Sequence, residues 1–206
     1  MAVPDQTGRG TVTVLAASRW RSNAELILSC RELGYLRDDD RILDPTYGKG
    51  TWWKRWHPKR LVIIDGDFRS LPLTSGSFDA VVYDPPYVSV GGRTTTGLPA
   101  FHERYGMDDT PRTPAGLQEV IDHGLTEMHR LVKPGGFVLA KCQSYVSSGK
   151  LWRGTYYTER HAESLGFTTF DELVLITSPR PQPPRERQCH ARRNLSTLFV
   201  FQRGRS

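Results

Sequence analysis

The 206-residue sequence has few cysteines and no long apolar run. Cys30, Cys142 and Cys189 are widely spaced and form no C-x-x-C pair, so neither a disulfide framework nor a zinc site is indicated. The first ten residues lack the apolar core of a secretory signal, and no segment reaches the length that crosses a bilayer. The expectation is a cytoplasmic protein with no membrane partner.

The patterns of common hydrolases and metalloenzymes are also missing. No G-x-S-x-G nucleophile motif occurs, and His102, His123, His129 and His190 have no metal-ligand spacing, so no metal is expected. Acidic residues are in the minority, because 28 Lys and Arg against 22 Asp and Glu give a formal net charge of +6. This charge favours a polyanionic partner, nucleic acid before membrane.

What the sequence does contain is a strand that ends in an unusual group of acceptors. The apolar run Ala80–Tyr83 predicts a buried strand, and Asp84-Pro85-Pro86-Tyr87 follows it. Neither proline has a backbone N–H, and an ionised Asp84 only accepts hydrogen bonds. Tyr87 adds a flat face on which a planar ring could stack. The cluster is suited to a planar amine such as the exocyclic NH₂ of a base; alone, it would equally fit a proline-rich turn.

A glycine-rich turn lies upstream. The run Ile42–Asp44 predicts a strand, Pro45-Thr46-Tyr47-Gly48-Lys49-Gly50 follows it, and Thr51–Trp56 is predicted to open a short helix. Glycines let the backbone approach a ligand, and a helix start presents free N–H groups. The pattern is D-x-x-x-G-x-G, which differs from the phosphate-binding P-loop. A tight turn without a ligand explains this motif equally well when it is considered alone.

A second predicted strand, Leu61–Ile64, ends at Asp65, and Asp67 follows two residues later. A carboxylate at this place in a nucleotide-binding fold hydrogen-bonds ribose hydroxyls. Phe68 could lie against an adenine face. The alternative is that Asp65 and Asp67 are turn residues around Gly66.

Strands and helices alternate along the rest of the chain, which predicts an α/β fold with a parallel sheet and helices on both faces. Ligands bind such sheets at the carboxyl ends of the strands, where Asp44, Asp65 and Asp84 would meet. The remaining predicted helices are 24–33, 114–132 and 156–165, and the remaining predicted strands are 137–140, 173–177 and 197–201.

Two segments lack regular patterns within this single domain of residues 1–206. Residues 88–114 form a long connection beside the proposed site, which is typical of a mobile substrate loop. Residues 178–194 are rich in proline and arginine and predict a basic flap on phosphates or, alternatively, a solvated connector. The candidate phosphate contacts are Arg93, Arg180, Arg185, Arg187, Arg192 and Arg193.

The two motifs 44–50 and 84–87, in this order, resemble those of amino-methyltransferases that use S-adenosylmethionine, particularly DNA N6-adenine methyltransferases. Residues 131–137 also look like the segment before the fifth strand of that family. The resemblance implies a Rossmann-like class I fold, with a mostly parallel seven-stranded sheet and an antiparallel final strand. It implies S-adenosylmethionine as cofactor, with Asp44, Pro45, Thr46, Gly48, Gly50, Asp65, Asp67 and Phe68 binding it, and Asp84, Pro85, Pro86 and Tyr87 as catalytic residues.

The resemblance also implies a flipped-out adenine in DNA as the substrate, with DNA favoured over RNA. Several alternatives stay open from the sequence. The same chemistry serves cytosine N4 in DNA, adenine or guanine in RNA, and a protein glutamine amide. A member of the fold that binds nucleic acid without catalysis is a further possibility, although intact Gly48, Gly50 and Asp84 favour an enzyme.

Overall fold

One mixed sheet with helices on both faces organises the part of the chain that the computed structural model describes, residues 15–16, 20–86, 111–177, 187, 189–191 and 193–205. The strands are β1 (Arg41–Asp44), β2 (Arg60–Ile63), β3 (Phe78–Tyr83), β4 (Val132–Cys142), β5 (Tyr145–Ser147), β6 (Lys150–Trp152), β7 (Phe167–Ile176) and β8 (Leu195–Arg203). The helices are α1 (Asn23–Glu32), α2 (Pro114–Leu131) and α3 (Gly154–Ser164).

The main sheet has six described strands in the order β2-β1-β3-β4-β8-β7. Strands β1 to β4 pair in parallel, and β8 pairs antiparallel with both β4 and β7. The parallel half and the antiparallel final strand were therefore predicted correctly, whereas the described sheet has six strands instead of seven. The link from β2 to β3, residues 64–77, contains turns and bends but no strand.

Two apolar layers enclose the sheet, and β3 shows why. Its buried side chains alternate between the faces, as a strand requires: Ala80 and Val82 pack in the layer with α1, and Val81 and Tyr83 pack in the layer with α2. Every one of these four side chains is fully buried. The strand that carries the acceptor motif is thus held from both sides.

Side-chain caps begin α1 and α2 within one residue of the predicted starts, whereas α3 begins at Gly154 instead of Tyr156 and has no side-chain cap. Ser22 accepts a hydrogen bond from the Glu25 backbone N–H at 3.2 Å and begins α1, while Thr113 accepts from the Gly116 N–H at 3.0 Å and begins α2 with Pro114 in its first turn. These side chains satisfy donors that a helix leaves free at its start. Asn23, the first residue of α1, lies 3.5 Å from Asp84 Oδ2, so α1 begins at the carboxyl edge of the sheet.

The predicted helix over residues 51–56 is wrong. These residues form turns, and the Trp53 N–H donates to the Gly50 carbonyl at 3.2 Å. Trp52 and Trp53 are almost fully buried and Trp56 nearly so. Packing of the three indoles in the α1 layer outweighs the weak helix preference of this short stretch.

A small hairpin, β5–β6, follows β4 and was not predicted. Its turn places Ser148 at φ 49° and Gly149 at φ 73°, and two successive positive φ values fit the twist of a tight hairpin. Strands of three residues each are too short to show a clear alternation in the sequence. No helix within the described residues is long and apolar enough to cross a membrane.

Candidate active site at the carboxyl edge of the sheet

The structure brings the two sequence motifs together at one edge of the sheet. Asp44 ends β1, Asp84 follows β3, and these two strands are hydrogen-bonded neighbours. Thr46 joins them, because its hydroxyl accepts from the Asp84 N–H at 2.8 Å and lies 3.4 Å from Asp44 Oδ1, to which it donates. The glycine turn and the Asp-Pro-Pro segment therefore form one hydrogen-bonded unit.

Asp44 holds the glycine turn from below. Its carboxylate is fully buried and accepts from the Trp53 indole N–H at 2.7 Å and from the Thr46 backbone N–H at 3.0 Å. Burial raises the pKa of Asp44 to about 6, the charge of Asp84 adds to this rise, and the bonds from Trp53 and Thr46 oppose it. The Asp44 side chain fixes the turn and presents no surface to solvent.

The raised pKa of Asp44 predicts a pH dependence of stability. An unfolded Asp releases its proton near pH 4, whereas the folded chain keeps it to about pH 6. The free energy of unfolding should thus fall as pH rises from 4 to 6, by about 2–3 kcal/mol from this group. Urea unfolding across pH 4–8 would measure it. Asp44→Asn should remove this component, and equal pH profiles for the two proteins would contradict the assignment.

The glycines of the turn differ in exposure. Gly48 has φ 52° and is exposed, whereas Gly50 has φ 62° and is buried. A Cβ on Gly50 would lie 2.6 Å from the Tyr47 hydroxyl oxygen, so the tyrosine ring covers this residue. Pro45 and Thr46 are buried beneath the turn. A ligand reaches the backbone at Gly48 directly, and reaches Gly50 once the Tyr47 ring moves.

Asp84 lies in a ring of donors that converge on one carboxylate oxygen. Its Oδ2 atom is 3.1 Å from the Trp52 indole nitrogen, 3.5 Å from the Asn23 amide nitrogen and 3.7 Å from Lys141 Nζ. The Asp84 side chain is 19% exposed and that of Lys141 is 7% exposed. Burial raises the pKa of Asp84, and the Lys141 charge and the three donors counteract that rise.

Asn23, Trp52 and Lys141 were not predicted as site residues. Lys141 Nζ donates to Asn23 Oδ1 at 2.8 Å and lies 5.4 Å from the centre of the Trp52 ring, so the three form a connected cage. A lysine within the apolar strand 137–142 was the available signal, since a buried lysine needs a partner. Asn23 lies just before the predicted helix 24–33, and Trp52 lies within the predicted helix 51–56, so neither was expected at the site.

The acids beyond β2 have different surroundings. Asp65 is exposed and makes no hydrogen bond or ion pair with any other described residue. Asp67 is held by Arg69 in a bidentate pair with distances of 2.6 to 3.0 Å, and the bonds from Arg69 lower the pKa of Asp67. The Asp65 carboxylate is therefore available to accept hydrogen bonds from a ligand, whereas the Asp67 carboxylate is already paired with Arg69 of the same turn.

Phe68 does not fit the cofactor role that the sequence suggested. Its ring is fully buried and packs edge-on against Tyr83 at 5.5 Å between centroids. A Cβ on Gly124 of α2 would lie 2.7 Å from this ring. Phe68 is a core residue between β3 and α2, because the adjoining helix offers it an apolar surface that a sequence pattern does not reveal.

The other predicted residues fall partly outside the described structure. Pro85 and Pro86 are buried behind Asp84. Arg187 and Arg193 are exposed, and the Arg193 carbonyl accepts from the Gln143 amide at 3.4 Å, just past β4. That contact brings the end of the 178–194 segment to the carboxyl edge. The residues outside the description are Tyr87, Arg93, Arg180, Arg185 and Arg192.

The charges of the site suit a cationic ligand and an amine donor. With both carboxylates ionised, Asp44, Asp84 and the Lys141 ammonium together carry one net negative charge. Within the described residues no cluster of three or more His, Cys, Asp or Glu is arranged to hold a metal ion. The Asp84 carboxylate is a hydrogen-bond acceptor whose position is fixed by its neighbours. Such a preorganised acceptor can stabilise positive charge on a nitrogen atom bound next to it.

Comparisons with known proteins identify the fold. No protein-family model and no curated protein matches the chain. Among solved structures, a provisionally assigned methyltransferase from Bacillus halodurans is similar with a TM-score of 0.52 and 12% identity, over 86% of this chain and 98% of that one. The [4+2]-cyclase SpnF is similar with a TM-score of 0.52 and 12% identity, over 88% and 81% of the two chains.

A provisionally assigned DNA modification methylase from Thermus thermophilus, solved with S-adenosylmethionine, gives a TM-score of 0.46 at 15% identity over 80% of this chain. The present chain spans about half of that protein's length, 52 to 56%. The two structures with TM-scores of 0.52 show that the chain has the Rossmann-like methyltransferase fold. Because a cyclase shares that fold, its reaction must be argued from the residues of the site.

Proposed function

We propose that this chain transfers a methyl group from S-adenosylmethionine to the exocyclic amine of a nucleic-acid base, with adenine N6 in DNA as the favoured target. The proposal rests chiefly on one observation: Asp84-Pro85-Pro86 follows β3 and is hydrogen-bonded through Thr46 to the glycine turn after β1. A cofactor cradle and an amine acceptor thereby share one edge of the sheet, where ligands of such sheets bind.

The chain's residues fit the cofactor. Exposed Gly48, in its left-handed conformation, allows close backbone approach, and Gly50 extends that turn. Asp65 is the better candidate for the ribose hydroxyls, because Asp67 is engaged by Arg69. Asp44, Pro45 and Thr46 hold the turn. S-adenosylmethionine, when bound, supplies a methyl group on a cationic sulfur, which the net negative charge of Asp44, Asp84 and Lys141 favours.

Asp84 and Pro85 act on the amine. The lone pair of an adenine amine is delocalised into the ring, so the nitrogen is a weak nucleophile. Hydrogen bonds from the amine to the Asp84 carboxylate and the Pro85 carbonyl localise the lone pair on nitrogen. They would also stabilise the positive charge that develops on this nitrogen as it takes the methyl group and the methyl–sulfur bond of the donor breaks, until one N–H proton leaves to solvent. With Oδ2 of Asp84 facing Asn23, Trp52 and Lys141, Oδ1 is the oxygen that we assign to the substrate.

The nucleic-acid substrate follows from the target and the charge. A base in a duplex must be flipped out before its amine reaches such a site, and Tyr87 would stack on it. The net charge of +6 favours a polyanion, and Arg93 with the arginines of the 178–194 segment are the candidate phosphate contacts. Aspartate as the first residue of the motif favours adenine by resemblance to N6-adenine methyltransferases.

The proposed reaction is tested with tritiated S-adenosylmethionine and a panel of DNA, RNA and protein. We expect label in DNA. Label in RNA or protein alone would keep the chemistry and change the substrate class. Absence of label from all three, together with no heat of S-adenosylmethionine binding by calorimetry, would contradict the proposal.

Comparing alanine variants of Gly48 and Gly76 distinguishes a role in cofactor binding from the backbone strain that any substitution at positive φ causes. Gly48 has φ 52° and Gly76, at the amino end of β3, has φ 59°, so alanine at either position should cost about 1–2 kcal/mol of stability. A Cβ on Gly76 meets nothing within 4 Å. We expect Gly48→Ala to weaken S-adenosylmethionine binding at least about tenfold by calorimetry and Gly76→Ala to leave it unchanged. Equal affinities would remove the turn from the cofactor site.

A further inference from the structure

The hairpin β5–β6 and the first turn of α3 form an exposed surface next to the site. The hairpin comes directly after β4, and α3 begins directly after it, so both lie at the carboxyl edge that carries Asp84. Buried Tyr145 anchors the hairpin, and a Cβ on Gly154 would lie 2.4 Å from the Gln143 carbonyl oxygen. The surface is therefore firmly attached to the sheet.

Aromatic side chains cover this surface. Tyr156 is 43% exposed, Tyr157 is 39% exposed and Leu151 is 47% exposed. Trp152 lies 4.8 Å from Tyr157 between ring centroids, and Tyr156 lies 5.5 Å from Tyr157. A contiguous group of exposed rings marks an interaction surface more often than scattered apolar residues do.

The same surface is basic. The sequence from Lys141 to Thr158 contains no acidic residue. Lys150 and Arg153 are exposed and form no ion pair with any described acid. The Arg153 guanidinium lies 4.5 Å from the centre of the Tyr156 ring, and Arg153 gives α3 no side-chain cap. Positive charge interleaved with aromatic faces is complementary to a polyanion that carries planar bases.

We propose that this hairpin–helix surface, defined by Lys150, Leu151, Trp152, Arg153, Tyr156 and Tyr157, binds a strand of nucleic acid beside the target base. The inference builds on the proposed function for the identity of the partner. Lys150 and Arg153 contact phosphates, and the Tyr156 ring receives an unstacked base. The Gln143 side chain donates to the Arg193 carbonyl, which places Arg193 close to the residue where the hairpin begins.

The charge contribution is tested with the double variant Lys150→Ala/Arg153→Ala. Its control is Arg37→Ala/Lys59→Ala, which removes equal charge where β1 and β2 begin, at the opposite edge. Anisotropy with fluorescein-labelled duplex DNA, single-stranded DNA and single-stranded RNA would give affinities from 50 to 200 mM KCl. We expect the surface variant to bind all probes more weakly. On duplex DNA, the steepness of log K plotted against log salt concentration should fall by about 2, because each lost phosphate contact contributes about 0.9.

The stacking contribution is tested with Tyr156→Ala against Tyr156→Phe. Alanine should lower single-strand affinity at least about fivefold, the low end for one lost base stack, while phenylalanine keeps it. If neither Lys150→Ala/Arg153→Ala nor Tyr156→Ala lowers the affinity for any probe more than the Arg37→Ala/Lys59→Ala control does, the proposed nucleic-acid contact is contradicted. Calorimetry with S-adenosylmethionine should be unchanged in all variants, and its failure in the parent chain would count against the proposed function alone.

Discussion

Replacing Asp84 with asparagine is expected to slow methyl transfer by about 10²- to 10³-fold, the usual effect of removing one preorganised electrostatic partner. Three N–H donors surround Asp84 Oδ2, from Asn23, Trp52 and Lys141. The amide oxygen of the new side chain will take that position. Its NH₂ group then points at the substrate amine, so a donor meets a donor where an acceptor is needed.

Tritium transfer at saturating substrate would measure this loss, and calorimetry would show whether S-adenosylmethionine still binds. Asp39→Asn is the matched control, because exposed Asp39 pairs with Lys59 at 3.3 Å, at the edge opposite the site. Turnover of Asp84→Asn close to that of the parent chain would remove Asp84 from the mechanism. A parallel loss of cofactor affinity would instead give it a binding role.

Replacing Lys141 with methionine should change both the stability of the chain and the pH dependence of the proposed methyl transfer. Breaking a buried ion pair costs up to about 3–5 kcal/mol, and here both side chains are largely buried. Loss of the cation favours protonated Asp84, which raises the pKa of Asp84 further. Because Asp84 accepts from the substrate only when ionised, the acidic limb of the kcat/KM profile should move to higher pH.

Lys141→Arg keeps the positive charge and should largely keep the pH profile. A shifted profile in Lys141→Met together with an unshifted one in Lys141→Arg would show that the charge of Lys141, and not only its packing, acts on Asp84. The variant Asp84→Asn/Lys141→Met completes a double-mutant cycle by urea unfolding. Interaction between the two side chains predicts that their costs do not add, by at least about 0.5 kcal/mol. Additive costs and an unshifted profile in Lys141→Met would show that Lys141 does not act through Asp84.

The sequence predicted the strands that end in acids because their signals are local. Buried runs such as Ala80–Tyr83 carry their own pattern, and a following Asp or Pro marks the end of the strand. Parallel pairing then places Asp44 and Asp84 at one edge without further information. The caps Ser22 and Thr113 are likewise determined by a few neighbouring residues, so the starts of α1 and α2 were predictable to within one residue.

The features that sequence reasoning missed depend on partners distant in the chain. Lys141 donates to Asn23, which lies 118 positions earlier in the chain, and the sequence around either residue does not indicate this contact. The turn after Gly50 takes its shape from Trp52 and Trp53, whose indoles donate to Asp84 and Asp44. The burial of Phe68 depends on α2 packing over it. Because the sequence around Phe68 does not show this contact, the residue was expected to face the cofactor. Each case is decided by tertiary contacts that a local pattern does not contain.

The measurement that tests the central claim most directly is nucleoside mass spectrometry after reaction with deuteromethyl-labelled S-adenosylmethionine. Duplex DNA is treated in parallel with the parent chain and with Asp84→Asn, then digested to nucleosides. The account predicts deuterated N6-methyladenine from the parent chain and at least about 100-fold less from the variant. Label in no nucleoside, or equal label from both proteins, would contradict it.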